Sequence, residues 1–427
     1  MMTIRRTAYP LALLIWLVLV SVGLAQSLPM ATPEEVGLSS ERLAVLTETL
    51  RANVAKSEIP GAVLLIARRG KIGYFETFGD LDPQTHTPMT KDAIFRIYSM
   101  SKPITTVAAM TLFEDGKIGL EEPVGKYLPQ LMKLQVAVDN KPDPEADPSK
   151  LTLVPTNRPI SIQDLMRHTS GFTYGFFGTT PVKKLYLEAH LADGDPTNAE
   201  FVDRIAKLPL SYQPGTTWDY SHSTDVLGRL IEVVSGKSLF AFEKERILDP
   251  LGMVDTSFYV TDPAKQSRIA EPFEKDRLLG QDVVIDDPRH AGKWESGGGG
   301  MVSTAMDYAR FLQMMLNGGT LDGKRILGPK TVAYMTTDHL AGVAVPGPYY
   351  LPGPGYGFGL GFAVRREAGV SPFQGSPGEY YWGGVAGTAF WVDPSEKMFV
   401  VFMMQSPSQR VHYRSLLREM IYSAIID

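Results

Sequence analysis

The stretch that decides the reading is 95–105, Phe95-Arg96-Ile97-Tyr98-Ser99-Met100-Ser101-Lys102-Pro103-Ile104-Thr105. A serine hydroxyl is a weak nucleophile at neutral pH and needs a base within hydrogen-bond reach. At a helix N-terminus, positions i and i+3 share a face, so Lys102 can aim its amine at Ser99. Pro103 still falls in the first turn, where its missing N–H costs nothing. A lysine works as a base only where burial or positive neighbours favour its neutral form. The same residues also read as a plain N-cap followed by a solvated lysine, so the rest of the chain has to decide.

Downstream, Ile104, Val107, Ala108 and Leu112 recur on one helical face, and Asp115-Gly116 stops the helix. Upstream, Ser39 or Ser40 caps a run that puts Leu43, Leu46, Leu50 and Val54 on one face. Segments 62–67 and 72–78 read as two strands joined at Arg69-Gly70. Five prolines among polar residues mark 139–159 as a long surface loop. From 162 to 249 the signals are short and helical, clearest at 226–234 before Ser235-Gly236. Another amphipathic helix covers 305–316 and ends in Asn317-Gly318-Gly319. Strand signals return at 388–392 and 397–404, around a turn at Asp393-Pro394-Ser395-Glu396, and 412–426 reads as a closing helix. Strands near both ends with helices between them predict an α/β (α+β) fold. Segments 26–112 and 290–427 would build one antiparallel sheet, and 113–289 a mostly helical insertion.

Composition narrows the function. The 427 residues are 44% apolar with a net charge of −5, enough for a large core and without the basic stripe that nucleic acid would need. Arg5-Arg6, an apolar run over 11–22 and the small residues Gly23 and Ala25 have the layout of a secretory signal peptide, 1–25, cleaved after Ala25. The apolar run is shorter than the roughly 20 residues a spanning helix needs, so no stable membrane insertion is expected after cleavage. Removing the two arginines takes the net charge to −7. The location expected is periplasmic or secreted. The chain has no cysteine, which excludes disulfides, thiolate metal sites and a cysteine nucleophile.

Two further motifs carry chemistry. Tyr220-Ser221-His222 offers a phenol, a group that beside a lysine can pass a proton between a serine and a leaving group. A buried aromatic at a helix start is the plain alternative. Trp382-Gly383-Gly384-Val385 holds two glycines that would let a substrate lie close to a strand backbone, or would simply mark a strand bulge packed by the indole.

Taken together and in this order, the motifs resemble those of family VIII carboxylesterases, relatives of class C β-lactamases and D-alanyl-D-alanine carboxypeptidases within the penicillin-binding-protein superfamily. The resemblance runs through 95–105, Leu165-Met166-Arg167-His168-Thr169-Ser170-Gly171, Gly299-Gly300-Met301-Val302-Ser303-Thr304-Ala305 and the close of the chain near Gln405, spanning about 35–420. It implies a β-lactamase/transpeptidase-like fold and a serine esterase of short-chain carboxylic esters without a cofactor. Ser99 would be the nucleophile, with Lys102 and Tyr220 as bases. The N–H groups of Ser99 and Val385 would form the oxyanion hole, and Trp382, Gly383, Gly384 and His222 would touch substrate. His168 would be a structural hydrogen-bonding residue beneath the cleft. The β-lactamase pattern departs at two points: an amide stands where this chain has His222, and a cation, on an edge strand lining the cleft, where it has Trp382. Both departures favour a neutral ester over a β-lactam. The alternative is a β-lactamase or D-Ala-D-Ala carboxypeptidase-type amidase using the same three residues.

Several other features invite phosphate, metal or α/β-hydrolase readings that the sequence does not support. The glycines of 297–300 lack a strand–loop–Lys arrangement for phosphate, and Gly236-Lys237-Ser238 lacks the upstream glycine of a P-loop. The seven histidines have no metal spacing, and a Gly-x-Ser-x-Gly elbow is absent.

Overall fold

The computed structural model describes residues 27–427 apart from 144, 146 and 346–348, so the expected signal peptide lies outside the described residues. The hairpin expected at Arg69-Gly70 forms between β1 (Gly61–Arg68) and β2 (Lys71–Asp82). Both turn residues have positive φ, 57° and 78°, which matches a two-residue turn to the right-handed strand twist. β3 (Thr87–Pro88) pairs with the end of β2.

The other strands come from the far end of the chain: β4 (Tyr356–Phe358), β5 (Ala363–Arg365), β6 (Tyr380–Gly383), β7 (Ala389–Asp393) and β8 (Met398–Met404). They join in one eight-stranded sheet, ordered β4-β5-β6-β7-β8-β1-β2-β3, in which all the pairings are antiparallel. The two ends of the chain meet along β1 and β8, from Ala62 opposite Met404 to Arg68 opposite Met398. The antiparallel sheet flanked by helices is the predicted fold class. β4 and β5 were not legible as strands, since each is three residues long and lies among glycines.

Alternation in β1 separates two cores. Ala62, Leu64 and Ile66 face helix α1 (Ser40–Ala55) and the C-terminal helix, while Val63, Leu65 and Ala67 belong to the larger core on the opposite face. That larger core holds helix α2 (Ser101–Glu114), helix α3 (Ser223–Ser235) and helix α4 (Ala305–Leu316). The C-terminal helix α5 (Arg410–Tyr422) sends Tyr413, Leu417 and Ile421 into the smaller one. The stretch 139–159 is mainly loop, as expected, but Leu153–Pro155 forms a short strand against Gln135–Ala137. Pro155 ends that strand, where it removes little from the ladder.

Candidate active site

Ser99 lies in a tight 3-10 turn, Tyr98–Met100, that runs directly into α2. Tyr98 has φ 44°, unusual for an aromatic residue, and the surrounding contacts hold it there. Its carbonyl accepts from Ser101 Oγ at 2.6 Å and its hydroxyl accepts from the Asp286 N–H at 2.9 Å. Ser101 Oγ also accepts from the Met301 N–H at 3.1 Å, so the second serine of the motif is fully engaged in holding the turn.

Lys102 is 1% exposed. Its Nζ donates to Ser99 Oγ at 3.2 Å, Tyr174 Oη at 3.2 Å and the Gly298 carbonyl at 2.6 Å. It also lies 4.5 Å above the centre of the Tyr220 ring. Gly297 and Gly298 therefore serve α2, their carbonyls accepting from Thr105 and Lys102. A Cβ on Gly298 would collide with Asp225, and one on Gly297 with the Thr224 carbonyl and Thr105, so only glycine lets this backbone reach the lysine.

Tyr220 enters from the segment just before α3 and is nearly buried. His168, Tyr174, Phe177, Trp218 and Trp382 pack around its ring, with centroids 4.8–6.1 Å away. Its hydroxyl accepts from Trp382 Nε1 at 3.0 Å, which leaves its own proton free for another partner. His168 donates to or accepts from Ser221 Oγ at 3.1 Å through Nδ1, and burial with the Lys102 charge pushes its pKa well below the usual range. It is a neutral, structural ring at this site.

Trp382 sits differently from the expectation. It is 5% exposed, committed to Tyr220 by its N–H and packed on Phe358 at 5.4 Å, so it fixes the Tyr220 hydroxyl. β6 is also not an edge strand, since it lies between β5 and β7. β5 pairs only as far as Tyr380 and Tyr381, however, so Trp382 and Gly383 continue beyond it with β7 alone. The unpaired stretch supplies the open backbone that an edge strand would. The two glycines have a local reason. A Cβ on Gly383 would strike Arg414 and Thr388, and one on Gly384 would strike Thr388 and the Ile97 carbonyl. Close packing against α5 and Thr388 thus accounts for Gly383, and against Thr388 and Ile97 for Gly384.

Val385 lies in the loop joining β6 to β7, and no described residue accepts its N–H. Ser99 is in a first helical turn, where N–H groups lack intrahelical acceptors. His222 stands just before α3 without capping it and is held through Nδ1 to Asp225 Oδ2 at 2.9 Å, with its ring 4.3 Å from that of Tyr174. Asp225 accepts further from Ser296 Oγ at 2.5 Å and the Gly298 N–H at 3.0 Å. Burial works to raise this carboxyl, and hydrogen bonding to His222 together with the charges of His222 and Lys102 overcomes it, holding the pKa below the usual range.

Sequence reasoning missed Tyr174, the Gly298 carbonyl and Asp225. Tyr174 follows the Thr169-Ser170-Gly171 motif closely, but no local spacing ties it to a lysine 72 positions away. Burial, with the charge of Asp225, raises the Tyr174 phenol well above its usual pKa, so it is neutral and accepts from Lys102. A cavity of about 440 Å³ opens beside the Tyr98–Met100 turn, lined by Tyr98, Phe258, Tyr259, Trp294 and Gly299 and edged by Asp195, Asp286 and Asp287. Arg96 at its wall is already paired with Glu271 at 3.1 Å.

The Beta-lactamase family profile matches residues 46–420. The chain is 36% identical to protein Rv1367c of Mycobacterium tuberculosis, over 81% of this chain and 86% of that one. It is 29% identical to esterase EstB of Burkholderia gladioli, over 87% and 91%. The solved structure of EstCE1, a hydrolase with promiscuous acyltransferase activity, superposes with a TM-score of 0.73 at 28% identity, covering 90% of this chain and 99% of that one.

Proposed function

This chain belongs to the beta-lactamase family, and from that premise we propose that it is a carboxylesterase, a serine hydrolase acting on short-chain carboxylic esters through an acyl-enzyme on Ser99. The observation that carries the reading is the contact of Lys102 Nζ with Ser99 Oγ at 3.2 Å, in a buried shell of neutral acceptors. Ser99 Oγ attacks the ester carbonyl while Lys102, with Tyr220, takes its proton. The N–H groups of Ser99 and Val385 hold the oxyanion. The alcohol leaves with the proton, and water then attacks the acyl-enzyme through the same base and releases the acid. The cycle calls for no metal or organic cofactor.

Two features favour an ester over a β-lactam. Trp382 occupies the position where a cation would hold a substrate carboxylate, and carboxylates edge the cavity beside the Tyr98–Met100 turn. The likeness to esterase EstB points the same way. We further propose that the mature protein acts after export, with 1–25 removed.

The test compares p-nitrophenyl butyrate with nitrocefin in one buffer, on wild type and Ser99→Ala. Wild type should turn over the ester with kcat/KM on the order of 10²–10⁴ above nitrocefin, from two lost contacts at about 1–3 kcal/mol each. Ser99→Ala should lose both activities and fluorophosphonate labelling. Nitrocefin turnover equal to that of the ester would favour the amidase reading instead, and an active Ser99→Ala would remove the nucleophile assignment.

A further inference from the structure

Behind β6, on the sheet face opposite Lys102, lies a second cavity of about 240 Å³. Tyr381 and Trp391 line it from the sheet, Pro352 and Phe373 from the loops, and Arg414 and Ser415 from α5. Adjacent strand residues point to opposite faces, so Tyr381 faces this cavity where Trp382 faces the candidate active site.

Arg414 is unlike the other cations around it. Arg418, one turn further along α5, pairs with Glu379 at 2.6 Å. Glu379 is saturated, since it also takes the Tyr356 and Tyr422 hydroxyls and lies 3.6 Å from Arg365. Arg414 has no described carboxylate within salt-bridge distance. Among the described residues its one hydrogen bond is long, 3.4 Å to the Gly384 carbonyl, and its buried Nε has no partner. Burial pulls its pKa below the usual range, and the charges of Arg410 and Arg418 add to that effect. A guanidinium placed this way, against aromatic and proline walls, has the charge and the donors to take an anion.

We propose that this cavity binds a short-chain carboxylate, with its headgroup on Arg414 and its hydrocarbon tail against Tyr381, Trp391 and Phe373. The volume falls below the roughly 300–1,000 Å³ of drug-sized sites, which restricts the ligand to a small amphipathic acid. Arg414 presents a planar fork suited to a carboxylate, and apolar walls reward a tail that a bare inorganic anion lacks. Resting on the esterase reading above, the acid released by hydrolysis belongs to this ligand class.

The experiment titrates hexanoate into the whole protein by calorimetry, with hexanol as the neutral control. Wild type and Ser99→Ala should bind one hexanoate equally, and hexanol at least tenfold more weakly. Arg414→Gln removes the charge while keeping donors, and Ser415→Leu fills the cavity while leaving Arg414 in place; each should weaken hexanoate binding at least tenfold. Should Arg414→Gln fail to fold, Ser415→Leu carries the comparison. Binding that survives Ser415→Leu, that fails in wild type, or that disappears in Ser99→Ala alone would overturn the proposal, the last outcome placing hexanoate in the candidate active site. None of these outcomes depends on ester turnover, so the esterase reading and the back-face site fail separately.

Discussion

Lys102 and Lys183 are both buried, 1% and 4% exposed, and they serve the same two tyrosines from different partners. Lys102 reaches Tyr174 directly and lies over the Tyr220 ring. Lys183 Nζ donates to Thr173 Oγ1 at 2.8 Å and to Asp219 at 3.1 and 3.3 Å, the residues just before those tyrosines. The difference is the counterion. Lys183 has a carboxylate, and proton loss would strand Asp219 as a buried anion. Lys102 has a hydroxyl, a phenol and a peptide carbonyl as its acceptors, and the Asp225 carboxylate, whose pKa its charge helps lower, is bonded to His222, Ser296 and the Gly298 N–H instead. Burial lowers the Lys183 pKa and raises that of Asp219 despite their pairing, as expected when desolvation outweighs Coulomb attraction. On the proposed reading, the lysine paired with a carboxylate holds the fold together and the one bonded to uncharged acceptors does the chemistry.

The comparison breaks most visibly at Lys102. Lys102→Met should lower kcat/KM for p-nitrophenyl butyrate on the order of 10²–10⁴-fold while leaving the unfolding midpoint near wild type. Lys183→Met should do the reverse. Leaving Asp219 buried and unpaired should cost roughly 3–5 kcal/mol in urea unfolding, with a smaller loss of activity per folded molecule. The double variant Lys183→Met/Asp219→Leu should recover most of that stability. Equal stability losses at the two lysines would erase the distinction.

Asp307 shows a third way of accommodating a buried charge, by taking up a proton. It accepts from the Asp255 N–H and the Thr256 hydroxyl, and burial pushes its pKa up to about 6 from 3.8. Between those values the folded chain keeps a proton that the unfolded chain has lost. The stability Asp307 contributes is therefore fully present below about pH 4 and declines as pH rises through about 6, by roughly 3 kcal/mol in all. Asp307→Asn can accept the same bonds and does not titrate. Between pH 4 and 7, wild type should lose about that much stability relative to Asp307→Asn, measured as the difference between their unfolding free energies. Parallel pH profiles would mean that Asp307 is charged throughout.

Which parts of this were legible in the sequence follows from distance along the chain. Ser99 and Lys102 are three apart on one turn, so local geometry alone could join them. Tyr220 needed the resemblance, since nothing in its neighbourhood points to residue 99. The neutral shell could not be read at all. The Gly298 carbonyl comes 196 positions after Lys102, and a backbone acceptor leaves no side-chain signature. The four glycines were visible, but the reason for Gly297 and Gly298, clearance beside Thr224 and Asp225, depends on tertiary packing. Trp382 was legible as a departure from a cation, while its hydrogen bond to Tyr220 was not.

That bond gives the smallest of these effects and separates two roles for the indole. As a wall of the cleft, Trp382 would act on the substrate, and replacing it would change KM and acyl-chain preference. As a donor to Tyr220, it would act on proton transfer, and its loss would lower kcat for all esters alike. Trp382→Phe keeps an aromatic wall and removes only the N–H. Tyr220 stays seated in that variant, because His168, Tyr174, Phe177 and Trp218 still pack on its ring. A net hydrogen bond is worth about 0.5–1.5 kcal/mol, and roughly 1.4 kcal/mol is tenfold in rate. The expected result is therefore a kcat up to about tenfold lower, with KM and the acetate-to-octanoate preference unchanged. A shifted chain-length preference at constant kcat would assign the indole to the substrate, and Tyr220 would then depend on its aromatic neighbours alone.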